Sequence, residues 1–227
     1  RSHFYPAQED ADSREFTQIS FGLSAVRNVG ENLVNRILKE RDLNGPFLDF
    51  YDFAERCDST VLNKRSVESL IKAGSFDSFG YPRQGLLAAS ESIIDHTLAR
   101  RREHEMGVMS LFGESDESPV FDEREPILDI EFDKMTRLAF EKEMLGLYIS
   151  DHPLKGIEGS LRRKTDLNIT GLLEEEEGVF RTVGGVISGL DKRWTRAGKL
   201  MASFHLEDLA GSIEVMIFPK TMDEHGH

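Results

Sequence analysis

The 227-residue sequence predicts an α+β fold, helical over most of its length and β-structured at its end, on three observations. Apolar residues recur at i, i+3 and i+4 from about residue 21 to 102 and again from 129 to 148. From about residue 182 the pattern changes to alternation broken by turn residues. Between the two helical stretches, residues 114–125 are strongly acidic, which marks a linker. With 39% hydrophobic residues the chain can bury a core, as one large domain or two modest ones. No apolar run approaches the ~18 residues of a membrane helix, and the start has no signal-peptide pattern, so no membrane partner is predicted. A lone Cys57 excludes a disulfide framework or a cysteine zinc site and fits a reducing, cytoplasmic interior. The net charge of -13 argues against wrapping of nucleic acid by the chain as a whole. The charge is uneven, however: acid gathers at Glu114–Glu125 and Glu174–Glu177, whereas Arg27, Arg36, Lys39, Arg41, Lys64, Arg65 and Lys72 fall around the first helices.

Residues 1–18 are polar and aperiodic and read as a flexible lead-in. From Phe21, Leu23 and Val26 repeat at helical spacing before Asn28-Val29-Gly30, and Leu33, Val34, Ile37 and Leu38 repeat after it. Two short apolar helical faces joined by a tight turn are therefore predicted. Gly30 opens the second helix, where glycine permits φ > 0 or close approach of another molecule. The free N–H groups of Gly30, Glu31 and Asn32 then point outward at the positive helix end, the arrangement that seats a phosphate. The competing reading is a plain helical hairpin within a core. Asn44-Gly45-Pro46 ends the helix. Phe47, Phe50, Phe53 and Ala54 predict another, capped by Asp49, whose phenylalanines read as core.

A second hairpin is expected over Asn63–Asp77, with Val67, Leu70 and Ile71 on one face and Ala73-Gly74 as the turn. Lys64, Arg65 and Lys72 flank it as candidate phosphate contacts. A helix follows from Arg83 to Arg102, with Leu86, Leu87, Ile93, Ile94 and Leu98 inside; its Arg100, Arg101 and Arg102 suit either phosphate or a helix C-terminus. Met106–Gly113 is an apolar island before the acidic linker. Its Leu111 and Phe112 suit anchors for a partner groove, or docking back on the helices. Phe132, Met135, Leu138, Ala139, Met144 and Leu145 then set a helix ended by Gly146 and Pro153. Strands are predicted at Thr182–Ile187, Leu200–Leu206 and Ser212–Phe218, with Asp191–Lys199 as a basic, aromatic-bearing loop.

The Phe21–Lys39 segment resembles a helix-hairpin-helix motif, a hairpin of the form Gly-hydrophobic-Gly that grips a nucleic-acid backbone; Asn28 stands at the first glycine. The stretch Leu138-Ala-Phe-Glu-Lys-Glu-Met-Leu-Gly-Leu-Tyr-Ile-Ser-Asp-His-Pro-Leu154 resembles the segment joining the tandem helix-hairpin-helix and OB domains in the alpha-subunit family of bacterial DNA polymerase III. Phe21–Gly30, Leu70–Asp77 and Ser110–Gly113 occur in that family's order, and the resemblance runs from about Phe21 onward. It implies a flexible lead-in at 1–18, a tandem helix-hairpin-helix domain at 19–105 and a clamp-binding motif with acidic linker at 106–127. A joining helix and connector at 128–178 and part of an OB-fold β-barrel at 179–227 complete the order. Only about three of the barrel's five strands are expected, as in a piece of a larger protein.

The implied role is non-catalytic holding of double-stranded DNA, through Arg27, Asn28, Val29, Gly30, Glu31, Asn32, Lys64, Arg65, Lys72, Ala73 and Gly74. Tethering to the ring-shaped sliding clamp would run through Val108, Met109, Ser110, Leu111 and Phe112, in a motif of the form Gln-x-x-Leu-Phe with Val108 at the Gln position. Arg193, Trp194, Arg196 and Lys199 are candidate contacts for single-stranded DNA. Other replisome subunits and a nucleoid-associated bacterial cytoplasm are implied as well. No catalytic residue, metal site or cofactor is expected here, the family's magnesium-holding carboxylates lying in an upstream palm domain. Two alternatives stay open: a repair enzyme such as a ligase or nuclease sharing these modules, and a protein-protein scaffold without DNA contact.

Overall fold

The computed structural model describes residues 5–7, 18–20, 22–106 and 124–226. The clamp-motif residues Val108–Phe112 and the acidic linker up to residue 123 lie outside these described residues. The chain divides into two compact units, Arg1–Ile149 and Ser150–His227.

In the first unit β1 (Tyr5–Ala7) pairs antiparallel with β2 (Gln18–Ser20), with Pro6 opposite Ile19. The expected structureless lead-in is thereby corrected: its two ends form a short ladder. A 3-10 turn, Leu23–Ala25, precedes α1 (Glu31–Asn44), so the first arm of the predicted hairpin is a single turn rather than a helix. Gly45 ends α1 at φ 84. Next come α2 (Phe50–Arg56), capped by Asp49 as predicted, and α3 (Lys64–Lys72), capped by the Asn63 side chain on the Ser66 amide. The long α4 (Arg83–Glu105) and α5 (Lys134–Leu145) complete the unit.

The core joins one face of each helix. Leu33, Val34 and Ile37 of α1 meet Phe50 and Phe53 of α2, Val67, Leu70 and Ile71 of α3, and Leu86, Ile93 and Ile94 of α4. Phe50, Phe53 and Phe76 pack as a cluster with ring centroids 5.0–6.0 Å apart, which confirms the phenylalanines as core. Each fully buried ring contributes about 1.5–3 kcal/mol from area alone. Cys57, buried here, has its thiol pushed up to about 12 by that burial and is an inert structural group.

Two arginines spend their charge on helix ends. Arg56 reaches the carbonyls of Gly45 (2.8 Å) and Pro46 (3.1 Å) just beyond α1 while pairing with Glu40 and Asp52. Arg101 reaches the carbonyls of Ala54 and Cys57 at the end of α2. Arg102 bonds the Leu98 carbonyl of its own helix, and Arg100 pairs with Glu55. Of the two readings of this triplet, the helix C-terminus is observed for Arg101, at the end of α2, whereas the Leu98 carbonyl bonded by Arg102 lies inside α4.

The helix α5 belongs to this unit instead of to a separate connector. Glu141, 1% exposed, accepts from Arg83 Nη1 (3.0 Å) with one oxygen and from the Ile149 amide (2.8 Å) with the other. Arg83 also makes a two-pronged contact with Asp77. Burial opposes its charge, and Asp77 and Glu141 outweigh that and raise its pKa. Residues 128–131 close the start of α4. The Glu131 carboxylate takes the Arg83 and Gln84 amides, which Pro82 has no side-chain group to cap, and Gly85 donates to the Ile130 carbonyl. A Cβ on Gly85 would lie 1.8 Å from the Leu128 carbonyl oxygen, so this close approach requires glycine.

The second unit holds α6 (Glu158–Arg162), α7 (Ile169–Leu173), an antiparallel sheet of β3 (Val186–Trp194), β4 (Leu200–Glu207) and β5 (Ser212–Ile217), and α8 (Pro219–His225). The strand order is β3-β4-β5, with Val186 opposite Glu207, Trp194 opposite Leu200, and Ala202 opposite Ile217. Asp208 organises the β4–β5 turn: one carboxylate oxygen accepts from Ala210 and Gly211 and the other from the Ile169 amide, which brings α7 to the sheet. The first strand starts at Val186 rather than Thr182 and runs through the expected basic loop. A register shift between Ser188 and Asp191, with Gly189 at φ 62, breaks the period-2 signal that would have revealed it.

Candidate nucleic-acid interface

The turn before α1 is built by burying its apolar members and exposing its polar ones. Val26 and Val29 are 5% and 6% exposed, and they hold the turn to the core while Arg27, Asn28 and Gly30 face solvent. Asn28 sits at φ 66, the sole non-glycine residue at positive φ among those described. It thus adopts the left-handed backbone that the motif's first glycine supplies, at a residue type that tolerates it. Gly30 itself is extended, φ -77 and ψ 153, and a Cβ built on it meets nothing within 4 Å. Of the two expectations for Gly30, positive φ is corrected: the left-handed position is Asn28, and glycine at 30 leaves the surface bare, which is compatible with close approach.

Gly30 begins α1 without a side-chain cap, and its carbonyl accepts from the Leu33 and Val34 amides. Among the described residues no group accepts from the Gly30, Glu31 and Asn32 amides. These three donors stand at the positive end of a 14-residue helix dipole. The turn is anchored from two sides. The Arg27 amide donates to the Met144 carbonyl (2.8 Å), the Asn28 Nδ2 donates to Ser69 Oγ (3.1 Å), and Ser66 Oγ donates to the Asn28 carbonyl (3.1 Å).

A polar pocket of about 210 Å³ opens beside the turn, lined by Arg27, Asn28, Arg65, Ser69 and Lys72, with Glu68 and Glu143 also on its wall. The two sequence hairpins are brought together here. Their cations are not equivalent, however. Lys72 pairs with Glu68 (2.7 Å) and lies 4.8 Å from the Phe140 ring. Lys64 turns away to Glu91 (2.5 Å) and Asp95 (2.9 Å) on α4; its hydrogen bonds to Glu91, then to Asp95, raise its pKa. Arg27 and Arg65 are exposed and form no ion pair among the described residues.

Ala73-Gly74 does not open a helix. Ala73 is the C-cap of α3, Gly74 at φ 78 donates to the Ile71 carbonyl, and the Ser75 amide donates to Leu70. A Cβ on Gly74 would lie 2.2 Å from an Arg83 guanidinium nitrogen, so this glycine serves packing and helix closure. Sequence reasoning missed Ser66 and Ser69, 8% and 3% exposed. Two hydroxyls set three apart within the apolar stripe Val67, Leu70, Ile71 are the signal, since buried hydroxyls need partners.

In the second unit Arg193 and Trp194 end β3, and Arg196 and Lys199 lie in or beside the turn closed by the Thr195 amide on the Lys199 carbonyl. Arg193 pairs with Asp191 (2.5 Å), and Trp194 is 72% exposed. Among the described residues no group of three or more His, Cys, Asp or Glu is placed to hold a metal ion, and no helix is long and apolar enough to cross a membrane.

The helix-hairpin-helix motif family matches residues 4–86. The DNA polymerase III subunit alpha of Mycobacterium tuberculosis is 40% identical over 215 residues, 92% of this chain and 18% of that protein. Its counterpart from Thermus aquaticus is 39% identical over 91% of this chain and 17% of its own length, and that of Treponema pallidum 31% over 91% and 18%. The chain thus spans less than a fifth of the relatives it matches. Bearing the helix-hairpin-helix motif, the chain fits a fragment of a DNA polymerase III alpha subunit, as the counterpart of one segment of those proteins.

Proposed function

We propose that this chain holds double-stranded DNA by its phosphate backbone and tethers a replicative polymerase to the sliding clamp. The observation that carries the first half is the trio of unclaimed amides at the start of α1, next to the unpaired Arg27 and Arg65. Backbone amides and guanidinium groups bind phosphate without reading bases, which suits an enzyme that moves along any sequence. The test is duplex binding as a function of salt. Affinity should fall linearly on a log–log plot, and Arg27→Ala and Arg65→Ala should each lower the slope by about one. Lys64→Ala should leave it nearly unchanged, because that lysine is already neutralised by Glu91 and Asp95. Binding independent of salt sinks the proposal.

The clamp half rests on Val108–Phe112 and on the family resemblance. Two adjacent residues of an extended peptide project to opposite sides, so Leu111 and Phe112, bound in that form, would fill separate subpockets, with glycine at 107 and 113 imposing no side-chain restriction on either side. An OB role for the second unit, other replisome subunits as partners, and DNA synthesis with magnesium held by an upstream palm in the whole protein belong to the same proposal, as does a cytoplasmic, nucleoid-associated location. Single-strand binding by Arg193, Trp194, Arg196 and Lys199 is proposed to be weak. Stacking contributes about 1–3 kcal/mol per base only on a rigid platform, and Trp194 stands largely free at a strand end. Titration with single-stranded DNA at physiological salt should change the fluorescence of this lone tryptophan little; tight, saturable quenching would contradict it.

A further inference from the structure

We infer that Ser66 and Ser69 of α3 are positioning residues for the phosphate-binding turn, an assignment that rests on the proposed duplex reading. Three hydrogen bonds make the connection. Ser66 Oγ donates to the Asn28 carbonyl (3.1 Å), Asn28 Nδ2 donates to Ser69 Oγ (3.1 Å), and Ser69 Oγ donates onward to the Arg65 carbonyl (2.9 Å). The two hydroxyls therefore grip Asn28 by its backbone and its side chain together. Both hydroxyls are buried in an otherwise apolar helix face, while Asn28 itself is exposed, so the bonds lie at the edge of the core.

The need for such a grip follows from the backbone. A side chain at φ 66 is disfavoured relative to glycine, and an unrestrained Asn28 would relax toward negative φ. Two residues later the chain enters α1, so a change of dihedral at 28 re-aims the Gly30–Asn32 amides. The second hairpin thus fixes the aim of the first. This supplies a physical reason for the pair: of the α3 cations Lys64 and Lys72 are ion-paired, and besides Arg65 the helix contributes the buttress.

The test is a double-mutant cycle in the full chain, read by duplex affinity, thermal midpoint and amide hydrogen exchange over residues 26–33. Ser69→Ala should weaken duplex binding about fivefold at every salt concentration, through the loss of its hydrogen bond with Asn28, with the salt slope unchanged because no charge is removed. Exchange at the bonded turn amides, Arg27 and Val29, should quicken. In an Asn28→Gly background, where positive φ needs no side-chain support, Ser69→Ala should cause no further change in binding or exchange relative to Asn28→Gly alone. Ser66→Ala should behave as Ser69→Ala in the Asn28 background. The inference is overturned if Ser69→Ala changes neither readout, if exchange changes without affinity, or if the loss is equally large with Gly at 28, which marks general destabilisation. A parent chain without salt-dependent duplex binding defeats the phosphate reading, and the positioning role falls with it.

Discussion

Replacing Leu111 and Phe112 together by alanine is expected to abolish measurable binding to the sliding clamp, a loss of about 3–6 kcal/mol. Each side chain buried in an apolar groove contributes about 1.5–3 kcal/mol from its area, and two adjacent anchors in separate subpockets act as the centre of a small interface. Val108→Gln should move affinity the other way, because the amide at that position adds hydrogen bonds of about 0.5–1.5 kcal/mol each. Weak intrinsic affinity is compatible with function. Polymerase and clamp share one DNA, so their effective concentration is high and modest contacts suffice. A calorimetric titration in which the double variant binds the clamp like the parent would return the island to the helical core.

The second large effect is expected at Glu141. Glu141→Ala leaves the Arg83 Nη1 and the Ile149 amide without their buried acceptor, and removes the tie between α4, α5 and the turn that follows. Breaking a buried, hydrogen-bonded ion pair by removing one partner costs about 3–5 kcal/mol. Asp77 still holds the other edge of the guanidinium, which places the expected loss near the lower end of that range. Glu141→Gln keeps the volume but only one acceptor oxygen, and its NH2 meets a donor at the other partner, so it should recover only part of the loss. Urea unfolding followed by hydrogen exchange in α4 and α5 reads both variants. Equal stability of Glu141→Ala and the parent would mean that this cluster does not hold α5 to the unit.

The elements legible in the sequence are those where local rules and tertiary packing agree. The helix α2 carries its own cap at Asp49 and its own core stripe in Phe50 and Phe53, and α4 shows its periodicity over six turns. The strand β3 was hidden because Gly189 and the polar run Asp191–Arg193 break the alternation; pairing with β4 decides it. The domain boundary was displaced for a related reason. Glu141 reads as a surface charge in an amphipathic pattern, and only its partner Arg83, far away in sequence, makes it a core residue. The candidate site divides in the same way. The amides at Gly30–Asn32 follow from helix geometry alone, which sequence conveys. Which lysines remain free does not, since Lys64 and Lys72 look alike until Glu91, Asp95 and Glu68 are placed beside them.

The most direct test of the phosphate seat is Gly30→Val, measured by duplex affinity alongside thermal melting. In the free chain a Cβ at 30 meets nothing within 4 Å and φ is -77, so valine fits without strain and costs only a poorer helix cap of about 1 kcal/mol. A β-branched side chain standing before the α1 amides would instead block a phosphate from reaching them. The account predicts a melting temperature within a few degrees of the parent and duplex binding weakened about tenfold or more. Unchanged duplex affinity in a folded Gly30→Val chain would contradict it.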